Sequence, residues 1–276
     1  MEMVETKVIA LLAAAALFCG CSERFTWRAV DMDGHRTGVT AVVGDNVPEA
    51  LGVVDSVYHS PNGTVFACGS TPAVAALMLD AQPEMAYLRE VLGYCPGGMT
   101  KDRPESELSN WAVDAIMLAA ESVYGRKVDV GLMNMGGIRV DMPDGEILLD
   151  DLVSMFPFRN HVVYVSLRGE DLRHIFGNMA EKSHFEAVGG VRIVASDGKL
   201  ESVLVGGEPL DDDKVYGLAT IDFLLEGGDG IYAARNAVEL LDRKVLIRDW
   251  IVPYVRTMNA SGEMIKAYKD GRVTVK

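Results

Sequence analysis

Three short stretches of this chain carry residue types suited to holding a polar organic ligand. The first is Asn134-Met135-Gly136-Gly137-Ile138-Arg139, directly after an apolar run. Adjacent glycines let a backbone pass close to a ligand with its N–H groups exposed. An asparagine and an arginine beside them suit the oxygens of an anionic or sugar-like group. The same residues also read as a plain glycine turn with a surface arginine. The second stretch is Phe156-Pro157-Phe158-Arg159-Asn160. A phenylalanine beside proline packs into a core or loop, or, if exposed, stacks on a flat ring. The third, Phe223 to Gly230, sets Gly227, Gly228 and Gly230 around Asp229. A carboxylate presented by so tight a loop can accept hydrogen bonds from two vicinal hydroxyls; the alternative is a surface turn capped by aspartate.

Such residues need a scaffold, and the surrounding patterns supply one. Leu108, Trp111, Ala112, Ala115, Ala119 and Val123 recur at helical spacing, which predicts a helix over about 105–124. Val128–Met133 is a continuous apolar run and reads as a buried strand; His161–Leu167 and Val215–Ile221 read as further strands. Gly169–Met179 is patterned as a helix, and Val191–Ala195, Ser196-Asp197-Gly198 and Leu200–Val205 as a hairpin. Trp250, Ile251, Tyr254, Val255 and Met258 predict a last helix, kinked at Pro253. Upstream, Thr71-Pro72 reads as a helix start with Thr71 as hydroxyl cap. Pro83 should break that helix, and Met85, Leu88, Val91 and Leu92 predict a second amphipathic segment stopped at Gly93. The fold class expected is α+β, a mixed α/β domain with a short N-terminal lead-in.

Composition sets the outer bounds. The chain has 276 residues, 49% of them apolar and 24% charged, which is ordinary for a globular protein and excludes disorder as its main state. A formal net charge of −14 excludes general binding to nucleic-acid backbones. At the N-terminus, Lys7 precedes an apolar run from Val8 to Phe18, then Cys19-Gly20-Cys21-Ser22. This reads as a secretory signal, too short for a membrane span of roughly 20 residues. Gly20-Cys21 resembles a bacterial lipoprotein cleavage site, where Cys21 would become the lipidated N-terminus; the alternative is an ordinary signal peptide cut near the same place. The organisation expected is a signal peptide over 1–20, a tether over 21–48, a helical lead-in over 49–99 and a single domain over 100–276. Cys68 and Cys95 read equally as a pair or as free thiols. No CxxC or zinc-ligand spacing is present.

Taken in order, NxGGIR after a strand, PF some 20 residues on and FLxxGGDG near residue 223 resemble the C-terminal, substrate-binding domain of the 5′-nucleotidase / UDP-sugar hydrolase family. Gly145-Glu146-Ile147 with Asp150-Asp151-Leu152 is similar to the family's G-x-I-x-x-x-D-L step, and Leu167 to Leu172 to its L-x-G-x-x-L step. Glu105 to Asn110, with Asp114, resembles its E-[ST]-N-[LM]-G-N helix start. The resemblance covers roughly residues 100–276.

That resemblance implies a nucleotide pocket. Phe158 and Phe223 would sandwich the base, and Asp229 would bind the ribose hydroxyls. Asn134, Gly137 and Arg139 would lie near ribose and phosphate, and Arg103 stands where the family carries a phosphate-binding arginine. The family's complete enzymes add a metallophosphoesterase domain with two metal ions held by D-x-H, G-N-H-[DE] and G-H-x-H motifs. Here His35, His59, His161, His174 and His184 fall in none of these, and read as packing or surface residues. Two-metal hydrolysis needs such ligands. The resemblance therefore implies a substrate pocket with no cofactor of its own: the nucleotide-binding half of a split 5′-nucleotidase of the bacterial cell envelope. The dimetal centre would belong to a separate metallophosphoesterase chain. The alternative is a stand-alone nucleoside- or nucleotide-binding lipoprotein.

If Cys21 is the lipidated residue, Cys21→Ala should move the chain from the membrane to the soluble fraction or block its maturation. Unchanged partitioning into detergent would exclude the anchor.

Overall fold

The structure is a computed structural model that describes residues 46–276, so the signal peptide, Cys21 and His35 lie outside the described residues. A small module comes first: helix α1 (Val47–Leu51), the two-residue strands β1 (Val53–Val54), β2 (Tyr58–His59) and β3 (Val65–Phe66), and helix α2 (Thr71–Asp80). Ser70, not Thr71, occupies the cap of α2 and makes no side-chain cap bond; Pro72 lies in the first turn, as expected. The helix ends before Pro83.

The expected helical lead-in over 49–99 needs correction. After a 3₁₀ turn at Ala86–Arg89, strand β4 (Val91–Cys95) forms where helix was anticipated. It pairs antiparallel with β6 (Gly145–Leu148), Cys95 opposite Gly145. Gly93 does not stop an element; it sits within the strand, where an added Cβ would approach Val255 to 3.1 Å. A long-range partner thus overrides local helical spacing, and the lead-in is joined to the domain through its last strand.

Helix α3 (Glu107–Tyr124) follows, capped by Ser106 and Ser109, each of whose hydroxyls accepts from the other's backbone N–H at 3.1 and 2.9 Å. Next come β5 (Val130–Met133), β6, α4 (Leu149–Met155), β7 (Val162–Arg168) and α5 (Gly169–Glu181). Then follow β8 (Ala187–Gly189), the hairpin β9 (Val191–Ser196) and β10 (Lys199–Val205), β11 (Glu208–Pro209) and β12 (Val215–Ile221). The chain closes with β13 (Glu239–Leu241), α6 (Ile247–Ala260) and β14 (Val273–Val275). Helix α6 runs on through Pro253.

A five-stranded sheet in the order β13-β7-β12-β5-β8 is the centre of the domain. Strand β12 runs parallel to β5 and antiparallel to β7, with Leu218 opposite Val130 and Ile221 opposite Val162. Strand β8 is antiparallel to β5, with Ala187 opposite Met133. The ends of β5 and β12 and the starts of β7 and β8 therefore lie along one edge. Helix α3 packs on β5, β8 and β12, and α5 on β7 and β10. Six consecutive residues of β7 are buried, as a strand covered on both faces requires. A second sheet, β11-β10-β9-β14, takes its last strand from residues 273–275.

Two motif residues shared with the resemblance fasten that last strand. Glu105, buried, accepts from Asn110 Nδ2 at 2.8 Å and from the Asp270 backbone N–H at 2.7 Å. Asp114 makes a two-pronged pair with Arg272, at 2.7 and 2.8 Å. Burial works to raise the Glu105 carboxyl, but the donors of Asn110, Asp270, Val273 and Gly271 outweigh it and hold its pKa below the ordinary value. A carboxyl depressed on folding stabilises fully above its unfolded pKa of about 4.3 and loses that contribution as pH falls through the lower folded value. Glu105→Gln should therefore cost about 1.5–3 kcal/mol at neutral pH. In thermal melts the gap from wild type should close as the pH is taken below about 4. A gap that persists in acid would show that charge is not the source of the effect.

Candidate nucleoside-binding site

The sheet edge gathers the residues singled out in the sequence. Asn134 ends β5 and begins a 3₁₀ turn at Met135–Gly137. Its carboxamide folds back over the two glycines: a Cβ on Gly137 would stand 2.7 Å from Asn134 Oδ1 and would push the carboxamide from its place. Asn134 Nδ2 donates to Asp229 Oδ2 at 2.8 Å, joining the first and third motifs across 95 positions. Asn134 Oδ1 is buried and has no partner among the described residues.

Asp229 itself stands at φ 50°, ψ 24°, a left-handed conformation uncommon outside glycine. Gly227, at φ 108°, and Gly230, at φ 77°, turn the chain on either side of it. Phe223 packs its ring over Gly228, where a Cβ would lie 2.7 Å from the ring. Phe223 and Phe158 remain 46% and 48% exposed, so both offer an aromatic face to a ligand. Their neighbour Phe156 does not: it is buried, 6.4 Å from Trp111. The two rings' loops are tied by Asp222, whose Oδ1 accepts from the backbone N–H of His161 and of Phe223, each at 3.0 Å. His161 Nδ1 lies 3.0 Å from the other oxygen of Asp222.

Arg139 places its guanidinium over the Phe158 ring, 5.8 Å from the centroid, and donates to the Gly136 carbonyl at 3.2 Å. It forms no ion pair among the described residues. Arg103 is differently placed. It donates to both oxygens of Glu186, at 2.9 and 3.1 Å, and to the Phe185 carbonyl at 3.1 Å. Glu186 is buried and also accepts from the backbone N–H of Met135; His184 Nε2 lies 3.2 Å from it. Of the cations anticipated for phosphate, one is thus free and one is held by an internal carboxylate.

Two positioning residues, Asp222 and Glu186, were not anticipated. Asp222 carries a sequence signal, an aspartate directly after an apolar strand, of the kind that caps a turn. Among the described residues no cluster of His, Cys, Asp and Glu is arranged to hold a metal ion. Cys68 is exposed and Cys95 buried, both as free thiols.

Comparison with known proteins bears on this arrangement. Residues 91–236 match the family model described as 5′-nucleotidase, C-terminal domain. The chain belongs to this family. Among curated proteins it is 29% identical over 187 residues to UshA of Escherichia coli, covering 66% of this chain and 31% of UshA. It is 30% identical over 118 residues to the 5′-nucleotidase of Vibrio cholerae, 41% of this chain and 21% of the relative. A cell wall protein of Listeria monocytogenes is 29% identical over 199 residues, 66% of this chain and 25% of that protein. This chain thus spans about a third or less of these relatives. In fold it is similar to the 5′-nucleotidase precursor of Thermus thermophilus, with a TM-score of 0.66 at 23% identity over 78% of this chain and 45% of that one. The NAD nucleotidase of Haemophilus influenzae gives 0.56 at 19% identity over 86% and 46%.

The Glu186 arrangement predicts an asymmetry. Glu186 is buried while the Arg103 side chain is 37% exposed, so removing the arginine leaves a buried carboxylate without its counter-charge, and breaking a buried pair in that way costs about 3–5 kcal/mol. Arg103→Ala should approach that loss in denaturant unfolding, while Glu186→Ala, which leaves a guanidinium open to water and the Met135 N–H without its acceptor, should cost less. Equal losses would show that the stranded Met135 N–H costs as much as the stranded carboxylate.

Proposed function

We propose that this chain is the nucleotide-binding half of a split 5′-nucleotidase of the cell envelope, presenting base, ribose and phosphate to a separate metallophosphatase chain. The observation that carries the reading is the meeting, at one sheet edge, of two half-exposed phenylalanines, the Asp229 carboxylate and the unpaired Arg139. Aromatic faces hold a base by stacking worth about 1–3 kcal/mol each, with little discrimination among bases. Asp229, aimed by Asn134, suits neutral hydroxyl donors, and Arg139 suits phosphate oxygens. The chain's own residues bind and orient; the described residues do not fit a dimetal centre, so no hydrolytic step is assigned to them. The name 5′-nucleotidase among the relatives supports a nucleotide as the ligand. In this reading a lipid on Cys21 holds the chain to the membrane; no helix among the described residues is long and apolar enough to cross one.

A second reading is favoured by one specific observation. With Arg103 neutralised by Glu186, the edge offers a single unpaired arginine, which suits a stand-alone receptor for neutral nucleosides as well as a phosphate site.

Calorimetry with adenosine and AMP separates the two. Phe158→Ala and Phe223→Ala should each weaken both ligands about 5–150-fold. Asp229→Ala should weaken both alike. Arg139→Ala should weaken AMP more than adenosine, and added salt should lower AMP affinity in wild type. Equal losses for both ligands in Arg139→Ala would favour the nucleoside receptor. The chain alone should release no phosphate from AMP with Mn²⁺ or Zn²⁺, and should do so with a metallophosphatase encoded beside it. Metal-dependent turnover by the chain alone, abolished by a pocket substitution, would overturn the split enzyme.

A further inference from the structure

The small module ahead of β4 has surface out of proportion to its interior. Of residues 46–85 only Ala50, Gly52 and Ala75 are buried. Helix α2 packs on α1, β1 and β2, yet Val74, Leu77 and Met78 stay 53%, 71% and 51% exposed. Residues three and four apart on a helix stand side by side, so these three form one apolar stripe. Val74 and Met78 also line a groove of about 280 Å³ with Leu51 and Tyr58. The Tyr58 ring stacks on Phe66 at 5.9 Å, which carries the apolar surface onto β3, where Val65 is exposed as well. Exposed apolar residues are ordinary when scattered singly; a continuous patch marks an interaction site.

Charge narrows the partner. Between residues 46 and 88 there is no lysine or arginine. The carboxylates of that span, Glu49, Asp55, Asp80 and Glu84, are all exposed, and His59, its one weak base, lies 3.6 Å from Asp55. An apolar patch bordered by acids alone repels a second copy of itself and an anionic lipid surface, which draws lysine and arginine. It fits a protein whose own apolar patch is bordered by basic residues. The module also stands near the ligand edge. The Leu149 N–H, at the start of α4, donates to the Glu90 carbonyl at 2.9 Å, and the Met155 carbonyl, at its end, accepts from the Arg139 N–H at 3.0 Å. That helix rises about 10 Å, so the module's exit and the Arg139 loop are one short helix apart.

We propose that the face formed by α2 and β3 seats the metallophosphatase chain, through an apolar patch on that chain with a basic border. The partner's identity rests on the split-enzyme reading; the apolar face and its acidic border do not.

The test begins with the full chain in its native cell, carrying a photo-crosslinking residue in place of Leu77. One adduct is expected, with a protein that carries metallophosphoesterase ligand motifs. With the purified pair, Leu77→Glu and Met78→Glu should each weaken the complex about tenfold or more, since each sets a charge inside an apolar contact. Added salt should weaken the wild-type complex. Both side chains are exposed, so thermal melts and adenosine affinity of the variants should match wild type. An adduct with a second copy, with lipid or with a protein of another class would overturn the proposal, and so would no adduct, or a complex that both substitutions leave intact. Hydrolysis of AMP by the pair, unchanged in both variants, would remove this face and leave the split enzyme standing. A complex that both variants lose but that releases no phosphate from AMP would leave the face standing and remove the split enzyme.

Discussion

Everything at the edge that gathers Asn134, Phe158 and Phe223 depends on the register of one strand. Strand β12 pairs parallel with β5 on one side and antiparallel with β7 on the other. Only that mixed arrangement puts the exit of β5, the exit of β12 and the entry of β7 along the same line. Asn134, Phe223 and Phe158 come from these three points, spread over nearly 90 positions of sequence. A slip of one residue in β12 would also turn its buried side chains to the opposite face, so the register is fixed by the same burial that makes the core. Full burial of residues 216–221 makes that constraint strong.

The loops beyond the strands are then held by carboxylates rather than by apolar packing. Asp222 ties the start of β7 to the end of β12, Asp229 meets Asn134, and Glu186 ties Arg103 to the first turn of the glycine motif. Each is a hydrogen bond to an ionised group, roughly twice as strong as a neutral one. The arrangement sets loop geometry while leaving two aromatic faces open to solvent, which an apolar seal would not do.

Much of the scaffold could be read from pattern alone. The strand Val215–Ile221, the helix preceding Tyr124 and the hairpin around Asp197-Gly198 follow from local spacing, because in each the local preference and the tertiary environment agree. Strand β4 could not be read: Val91 and Leu92 continue a helical spacing, and only pairing with residues 145–148 decides otherwise. The candidate site divides along the same line. Phe158, Phe223 and Asp229 stand out because aromatics and glycines near a charge are unusual in sequence. Glu186 does not, because a glutamate before a short apolar run resembles any solvated charge. Its role exists only once the fold brings Arg103 to it from 83 positions away. The motif residues Glu105 and Asp114 are similar: they stand in the sequence as part of a helix start, and only the fold shows that they fasten the last strand.

The left-handed backbone at Asp229 carries a consequence for what can replace that residue. An L-residue there sacrifices about 1 kcal/mol relative to glycine, and the neighbouring loop already contains three glycines. Glycine there would relieve the backbone but leave the buried Asn134 amide without its acceptor. The aspartate thus holds a strained backbone in place through the same amide that joins the first and third motifs, so the strain at the loop and the satisfaction of a buried donor are set against each other at one residue.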